Sequence, residues 1–415
     1  MTTQPPATGC PFKLDGTGAD IHTEARALSA LGPAARVELP GGLPGIPAWS
    51  VTDPGLIRRL LAHPDISKDA HQHWPAYRNG ETEGWPLKIW IEVRNALSAY
   101  GAEHARLRRP LAAAFTLRRV RALAPRIKAI TRDLLSGLDS VDTAGAIDLR
   151  DRFAWRLPLL VVNELLGVPE DLHDAFRDAV GSLFATDLSE DEAAAAGTET
   201  YRLLSTLVAI KSKQPGDDVT SALITAHEGG LLSEQELLDS MMLVIGASHE
   251  TTANLLGHAV VNLLTHPDQL AQVTSGHASW DQVVDETLRH QAPIANILLR
   301  FPTQNVHDTE SDLTFQQGDA IVINYAAAGR DRTTHGPDAD LFDITRTTAS
   351  EHLAFGHGTH FCPGAPLARL EASIALPMLF STYPDLRLAV DPSELTPLPS
   401  LISNGHQHIP VLLHR

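Results

Sequence analysis

Cysteine is nearly absent from this chain, whose 415 residues contain two, Cys10 and Cys362. A pair so widely separated cannot build a disulfide framework; it points to a reducing compartment and makes an isolated thiol a candidate for chemistry. Aromatic residues are scarce at 5%, so any pocket built from this chain is expected to be largely aliphatic. Basic residues fall short of acidic ones, 33 Lys+Arg against 50 Asp+Glu, and a formal charge of −17 excludes a general nucleic-acid binder. Long apolar runs are missing as well. The stretch MMLVIGA at 241–247 is far shorter than the ~20 residues that cross a bilayer. The opening MTTQPPATGCPFKL lacks the basic and apolar regions of a secretory signal. No Gly/Ser-rich or Pro-rich linker and no fixed-period repeat divides the chain. These absences predict a cytoplasmic globular protein, monomeric, with no membrane and no nucleic-acid partner.

A hydrophobic share of 43% is too high for a disordered chain. At ~150 residues per domain the length suggests two or three domains, yet it also suffices for one large domain, 1–415, that encloses a cofactor. The segment LPGGLPGIP at 39–47 reads as turns between short strands. From about 54 to 290 Ala, Leu, Arg and Glu dominate, and apolar residues recur at helical spacing. Strand-like runs return at 297–306, 319–325, 386–390 and 408–413. The expected fold is mainly α, a large helical body with a smaller β-rich part assembled from both ends of the chain. One helix stands out. Ser233 and Glu236 form an S-x-x-E capping pair before an apolar run, and His266-Pro267 stops the pattern after Thr265. Residues 234–265 would form a rod of ~48 Å at ~1.5 Å per residue, long enough to cross the interior.

The chemistry concentrates in HLAFGHGTHFCPGAPLARLE, residues 352–371. Gly356, Gly358 and Gly364 flank Cys362 and let backbone approach a flat ligand. Helical sequence follows, which places the sulfur where a helix N-terminus favours a thiolate, and a thiolate without a second cysteine suits axial ligation of haem iron. Judged alone, the cysteine reads equally as a small buried residue, and His357-x-x-His360-x-Cys362 as a zinc ligand set.

The run Phe355-Gly356-His357-Gly358-Thr359-His360-Phe361-Cys362-Pro363-Gly364 resembles the haem-binding signature of the cytochrome P450 monooxygenases. The resemblance covers essentially the full length and is strongest to actinobacterial members acting on steroids, macrolides and other polyketides. It implies the triangular helical fold of that family, haem b (iron protoporphyrin IX) as cofactor, and Cys362 as the axial ligand. Phe355, Gly356, Gly364 and Ala247 would lie against the haem.

Three further segments match in order. Gly246-Ala247-Ser248-His249-Glu250-Thr251-Thr252 resembles the oxygen-activation motif; alone it reads as a polar stripe on a buried helix. The resemblance gives Glu250 proton delivery and Thr251 the steadying of oxygen and a nearby water at the iron. Ser248 departs from the usual Gly. Glu286-Thr287-Leu288-Arg289 with Phe342-Asp343-Ile344-Thr345-Arg346 resembles the family's buried structural network of one Glu and two Arg. His104 and Arg108, spaced i, i+4 on one helix face, together with Arg300 and His360, match propionate-binding positions. Pro363 departs from the family in offering no N–H toward the sulfur, which leaves more electron density on the thiolate.

From His104 through Lys128 the chain carries Arg106, Arg108, Arg109, Arg118, Arg119, Arg121, Arg126 and Lys128 and no acid. This local inversion of charge reads either as pairing with acidic helices or as a docking face for a ferredoxin-type electron donor. By family placement the substrate contacts are Trp85 to Ile91, Val244, Ala247, Ile294, Ala295, Leu401 and Ile402. The expected reaction is hydroxylation of a large apolar substrate with O2 and electrons from NAD(P)H, in secondary metabolism or on steroids. Oxidative phenol coupling, a peroxide-driven enzyme and a haem-binding sensor are the alternatives.

Overall fold

The computed structural model describes residues 11–41, 45–139, 145–183 and 190–413, and Cys10 falls outside them. Six strands form the main sheet in the order Phe12–Lys13, Ala34–Leu39, Ile46–Val51, Ile321–Asn324, Asn296–Pro302 and Ile66–Ser67. Ala34–Leu39 and Ile46–Val51 are antiparallel, joined across the Pro/Gly segment, and alternation along the first buries Val37 and Leu39. Ile46–Val51 then pairs in parallel with Ile321–Asn324, so strands from both ends of the chain share one sheet. A smaller sheet joins Arg387–Leu388, Pro410–Leu412 and Ile147–Asp148. The two C-terminal strand runs thus recruit a mid-chain segment that the helical reading of 54–290 had absorbed.

The helical body is organised around Glu234–Thr265. Ser233 Oγ accepts from the Glu236 backbone N–H at 3.2 Å, and Glu236 returns the bond to the Ser233 N–H at 2.8 Å. The expected capping box therefore forms, and His266 closes the other end. Every residue from Thr252 to Leu263 is buried, because the rod packs against the helices Arg156–Leu166, Trp280–His290 and Ala365–Thr382. No helix among the described residues is long and apolar enough to cross a membrane.

The helix Trp280–His290 carries the Glu286–Arg289 pair into the core, where both side chains are fully buried. Arg346 approaches Glu286 at 3.6 Å, an ionic contact longer than a hydrogen bond, and is anchored by Asp338 Oδ1 at 3.0 Å. Glu286 Oε1 also accepts from the Asp343 N–H at 2.8 Å, which ties both sequence segments into one network.

Several histidines are held as neutral rings, His249 and His258 buried and His22 and His406 half-buried. His22 Nε2 donates to Gln291 Oε1 at 2.7 Å, His249 Nε2 to the Trp155 carbonyl at 2.9 Å and His258 Nε2 to the Asn404 carbonyl at 3.0 Å. Burial pushes His22 down to about 3, and His249 and His406 down to about 4. Such groups stabilise the fold fully above the unfolded histidine value and lose that contribution as pH falls toward their folded values. At pH 5 each of the three is expected to cost ~2 kcal/mol relative to pH 7. Glu371, whose carboxyl burial raises, works in the opposite sense. Denaturant midpoints should therefore fall steeply between about pH 6.5 and pH 4; a midpoint independent of pH there would contradict neutral burial.

Candidate active site

The loop before the helix Ala365–Thr382 is closed on itself by backbone bonds, Gly356 N–H to Leu353 O at 2.8 Å and Cys362 N–H to Phe355 O at 2.9 Å. Gly356 and Gly358 hold φ of 74° and 68°, and a Cβ on Gly358 would lie 2.5 Å from the Leu61 carbonyl. These two positions need glycine. Gly364 does not: its φ is −81° and a Cβ there would make ordinary contacts with Cys362 Sγ and Phe115. Cys362 is half-buried at the start of the helix. Burial pushes its thiol up, while the N–H groups of Gly364 and Ala365 and the Arg108 guanidinium pull the other way. Pro363 thus removes one donor, but the next two residues still supply theirs. Phe355 is half-buried, its ring 5.5 Å from the Arg369 guanidinium. His357, His360 and Cys362 do not gather as a ligand set, and among the described residues no group of three or more His, Cys, Asp or Glu does, which leaves the zinc reading without a site.

The four basic residues singled out in sequence come together beside this loop. His104, on the helix Gly101–Ala114, sets its ring 4.0 Å from that of His360 at a tilt of 35°, and Arg108 one turn on donates to the Phe361 carbonyl. Arg300, on the strand Asn296–Pro302, and His104 are both buried, and among the described residues Arg300 Nη1 and His104 Nε2 have no hydrogen-bond partner. Burial and mutual repulsion push His104 to about 4 and Arg300, by burial, to about 10. His360 is driven down by burial and by Arg300, His104, Lys68 and Arg108. Lys68 is the member that sequence reasoning missed; among the described residues no Asp or Glu acts on any of the five, while the Cys362 thiol acts on Arg108 and the Tyr325 phenol on Arg300. Buried cations and orphaned donors without an anion fit a ligand that brings its own carboxylates, as the two propionates of haem do.

On the long helix Gly246 and Ala247 are exposed although the turns that follow are buried, and a Cβ built on Gly246 meets nothing within 4 Å. This stretch of small residues therefore offers an open face to a broad ligand. Thr251 Oγ donates to the Ala247 carbonyl at 2.7 Å, which commits its proton and leaves its lone pairs to accept. Glu250 Oε2 accepts from Ser403 Oγ at 3.1 Å. Burial raises the Glu250 carboxyl, while Ser403 and Arg150 oppose the rise. Arg150 also lines a surface cavity of about 560 Å³ with Asp148, Trp155, Gln407 and His408, so its charge acts on Glu250 from the side of that cavity. Neither Ser403 nor Arg150 was visible in sequence, because both lie on segments distant from Glu250.

The substrate set divides. Ala247 is exposed and Ile294 half-buried, whereas Ile91, Leu401 and Ile402 are closed into the core beside the main sheet and Val244 into the helical core. Ala295 has no accessible surface and packs with Ala25, Ala326 and Ala327, so it is a core residue in this structure rather than a pocket wall. The basic stretch divides too. Arg106 pairs with Glu103 and Glu236, Arg119 with Asp217 at 2.7 Å and Arg126 with Glu164 at 2.7 Å. Arg109, Arg118, Arg121 and Lys128 remain exposed without an ion pair among the described residues. Leu117 and Phe361 are exposed as well.

The Cytochrome P450 family model matches residues 280–398, which hold the Glu286–Arg289 pair and the cysteine loop. The chain is 38% identical over 406 residues to the 2-hydroxy-5-methyl-1-naphthoate 7-hydroxylase of Streptomyces carzinostaticus, covering 97% of this chain and 98% of that protein. It is 36% identical over 394 residues to the vitamin D(3) 25-hydroxylase of Pseudonocardia autotrophica, covering 94% and 93%. Its fold matches CYP154A1 from Streptomyces coelicolor A3(2) with a TM-score of 0.88 and 48% identity, over 97% of this chain and 100% of that one. With such identity along nearly the whole length and the same helical body and smaller sheet part, this chain belongs to the cytochrome P450 family, as a monooxygenase of the bacterial kind with haem b as its cofactor.

Proposed function

We propose that this enzyme hydroxylates a large, mainly apolar small molecule (a steroid, macrolide or other polyketide-like compound) with O2 and electrons from NAD(P)H passed through a ferredoxin reductase and a ferredoxin. The observation that carries the reading is the combination of the Cys362 loop, flanked by basic side chains, with a half-buried acid–alcohol pair on the long helix. Cys362 would hold the iron, and His104, Arg108, Arg300 and His360 the propionates, with Phe355, Gly356, Gly364 and Ala247 packed against the porphyrin. When bound, haem supplies the activation of O2 and the oxidising power for a C–H bond. Glu250 carries protons inward from the Arg150 cavity, and Thr251 offers an acceptor oxygen that orders water or oxygen beside Ala247. Ala247 and Ile294 border the substrate. The relatives named for a naphthoate and for vitamin D(3) support a carbon-rich substrate.

The test is turnover. Holoenzyme with a reductase and ferredoxin should place one atom of labelled O2 into a steroid or macrolide that shifts its haem spectrum. Turnover with H2O2 alone would instead favour a peroxide-driven enzyme, and dimeric products a phenol-coupling one.

Arg109, Arg118, Arg121 and Lys128, with the exposed Leu117 and Phe361, make up the electron-donor face in this reading, narrower than the whole 104–128 stretch. Reversing charge with Arg109→Glu plus Arg118→Glu should slow ferredoxin-driven reduction ~10-fold at low salt and flatten its salt dependence. Reduction that keeps both its rate and its salt dependence would place the donor elsewhere.

A further inference from the structure

We infer that Lys68 is a haem-propionate residue, a third cation that joins Arg108 and Arg300 at the two carboxylates. Lys68 directly follows the strand Ile66–Ser67, whose antiparallel register sets Ile66 opposite Pro302 and Ser67 opposite Phe301. Lys68 thus lies just past the paired residues, where the Arg300 charge acts on it. Like charges held close together away from water repel, and here both are buried, at 4% and 5% exposure. Among the described residues the Lys68 ammonium, with three N–H groups, has one partner, the Leu298 carbonyl at 3.0 Å, and Arg300 Nη1 has none. Lys68 also lies within electrostatic range of His360, two residues from Cys362, which puts it at the same corner as the cysteine loop.

Two buried cations side by side without an acid are unfavourable in themselves. The arrangement becomes favourable when a ligand brings two negative charges to that corner. Three cations then face two carboxylates, and the surplus positive charge favours the reduced iron, so Lys68 both retains haem and raises its potential. The inference rests on haem b as the cofactor and not on the substrate, so a failed substrate screen leaves it standing.

The experiment compares Lys68→Met and Lys68→Arg holoenzymes with the native one, reading transfer of ferric haem to excess apomyoglobin and the iron reduction potential. Lys68→Met should release haem ~10-fold faster or more, as expected for loss of a charge-assisted hydrogen bond, with a lowered potential. Lys68→Arg should stay close to the native enzyme in both. Unchanged haem release in Lys68→Met would overturn the inference. So would faster release at an unchanged potential, which would make Lys68 only a strut for the Leu298 carbonyl. If Lys68→Met cannot be obtained with haem, Lys68→Gln takes its place. Recovery of native haem release by Gln as well as Arg then overturns the assignment, and recovery by Arg alone supports it.

Discussion

Arg289→Leu is expected to cost the fold ~3–5 kcal/mol, read as a fall in the denaturant midpoint of the holoenzyme. All five guanidinium N–H groups are used. Nε and Nη2 grip the Glu286 carboxylate at 2.7 and 2.6 Å, Nη1 donates to the Gly329 and Ala339 carbonyls at 2.7 Å each, and Nη2 also donates to Leu341 O at 2.8 Å. Leucine fills part of the volume but strands one buried carboxylate and the Gly329 and Ala339 carbonyls, and leaves Leu341 O a single long bond from Arg346 Nη2 at 3.4 Å. Arg346, at 3.6 Å from Glu286 and turned toward Asp338, is too far to replace the bidentate grip. Lysine would fail as well, having three donors on a point charge where five are fixed in a plane. The double variant Glu286→Leu plus Arg289→Leu should lose less than Arg289→Leu alone, since no charge is then stranded. A loss within ~1 kcal/mol for Arg289→Leu, the range of an exposed pair, would mean that the network does not hold this side of the fold.

Glu250→Gln is expected to slow O2-dependent turnover by ~10²-fold or more while leaving the substrate-induced spectral shift unchanged. Glutamine keeps an acceptor for the Ser403 hydroxyl but has no proton to give. Its effect therefore isolates proton supply from local packing. A larger solvent isotope effect on turnover should accompany the slowdown. Thr251→Ala should behave differently, because its hydroxyl already donates to Ala247 O and serves as an acceptor. Electron uptake should persist while the share of reducing equivalents lost as H2O2 rises several-fold. Native coupling in Thr251→Ala would remove that residue from its proposed role, and native turnover in Glu250→Gln would route protons elsewhere.

Much of this was legible in the chain because the signals are local. The capping box of Ser233 and Glu236 and the His266-Pro267 stop define the long helix within a few residues of each end. The cysteine loop lies in one uninterrupted run whose positive-φ glycines are fixed by a tight backbone path. The i, i+4 spacing of His104 and Arg108 survives because a helix carries it. Arg300 lies on a strand far along the chain, and the pairing of that strand sets it beside the others.

Lys68 was not legible, because only the pairing of Ile66–Ser67 with a strand some 230 positions later brings it to Arg300. The fate of the basic stretch was hidden for the same reason. Arg106, Arg119 and Arg126 find Glu236, Asp217 and Glu164 on helices whose packing no spacing rule encodes. Ala295, read as a substrate contact, is closed off by alanines from two other segments.

Composition and helical spacing were therefore enough to give the helical class, and the contiguous motifs to carry the resemblance to the haem-thiolate family, since capping, helical spacing and loop glycines act over a few residues of chain. Which cations stay buried without an acid, which reach solvent, and which surface supplies Glu250 were decided by tertiary structure alone. Strand register and helix packing join residues that are far apart in sequence, and burial, which sets the energy of each charge, exists only once they have met.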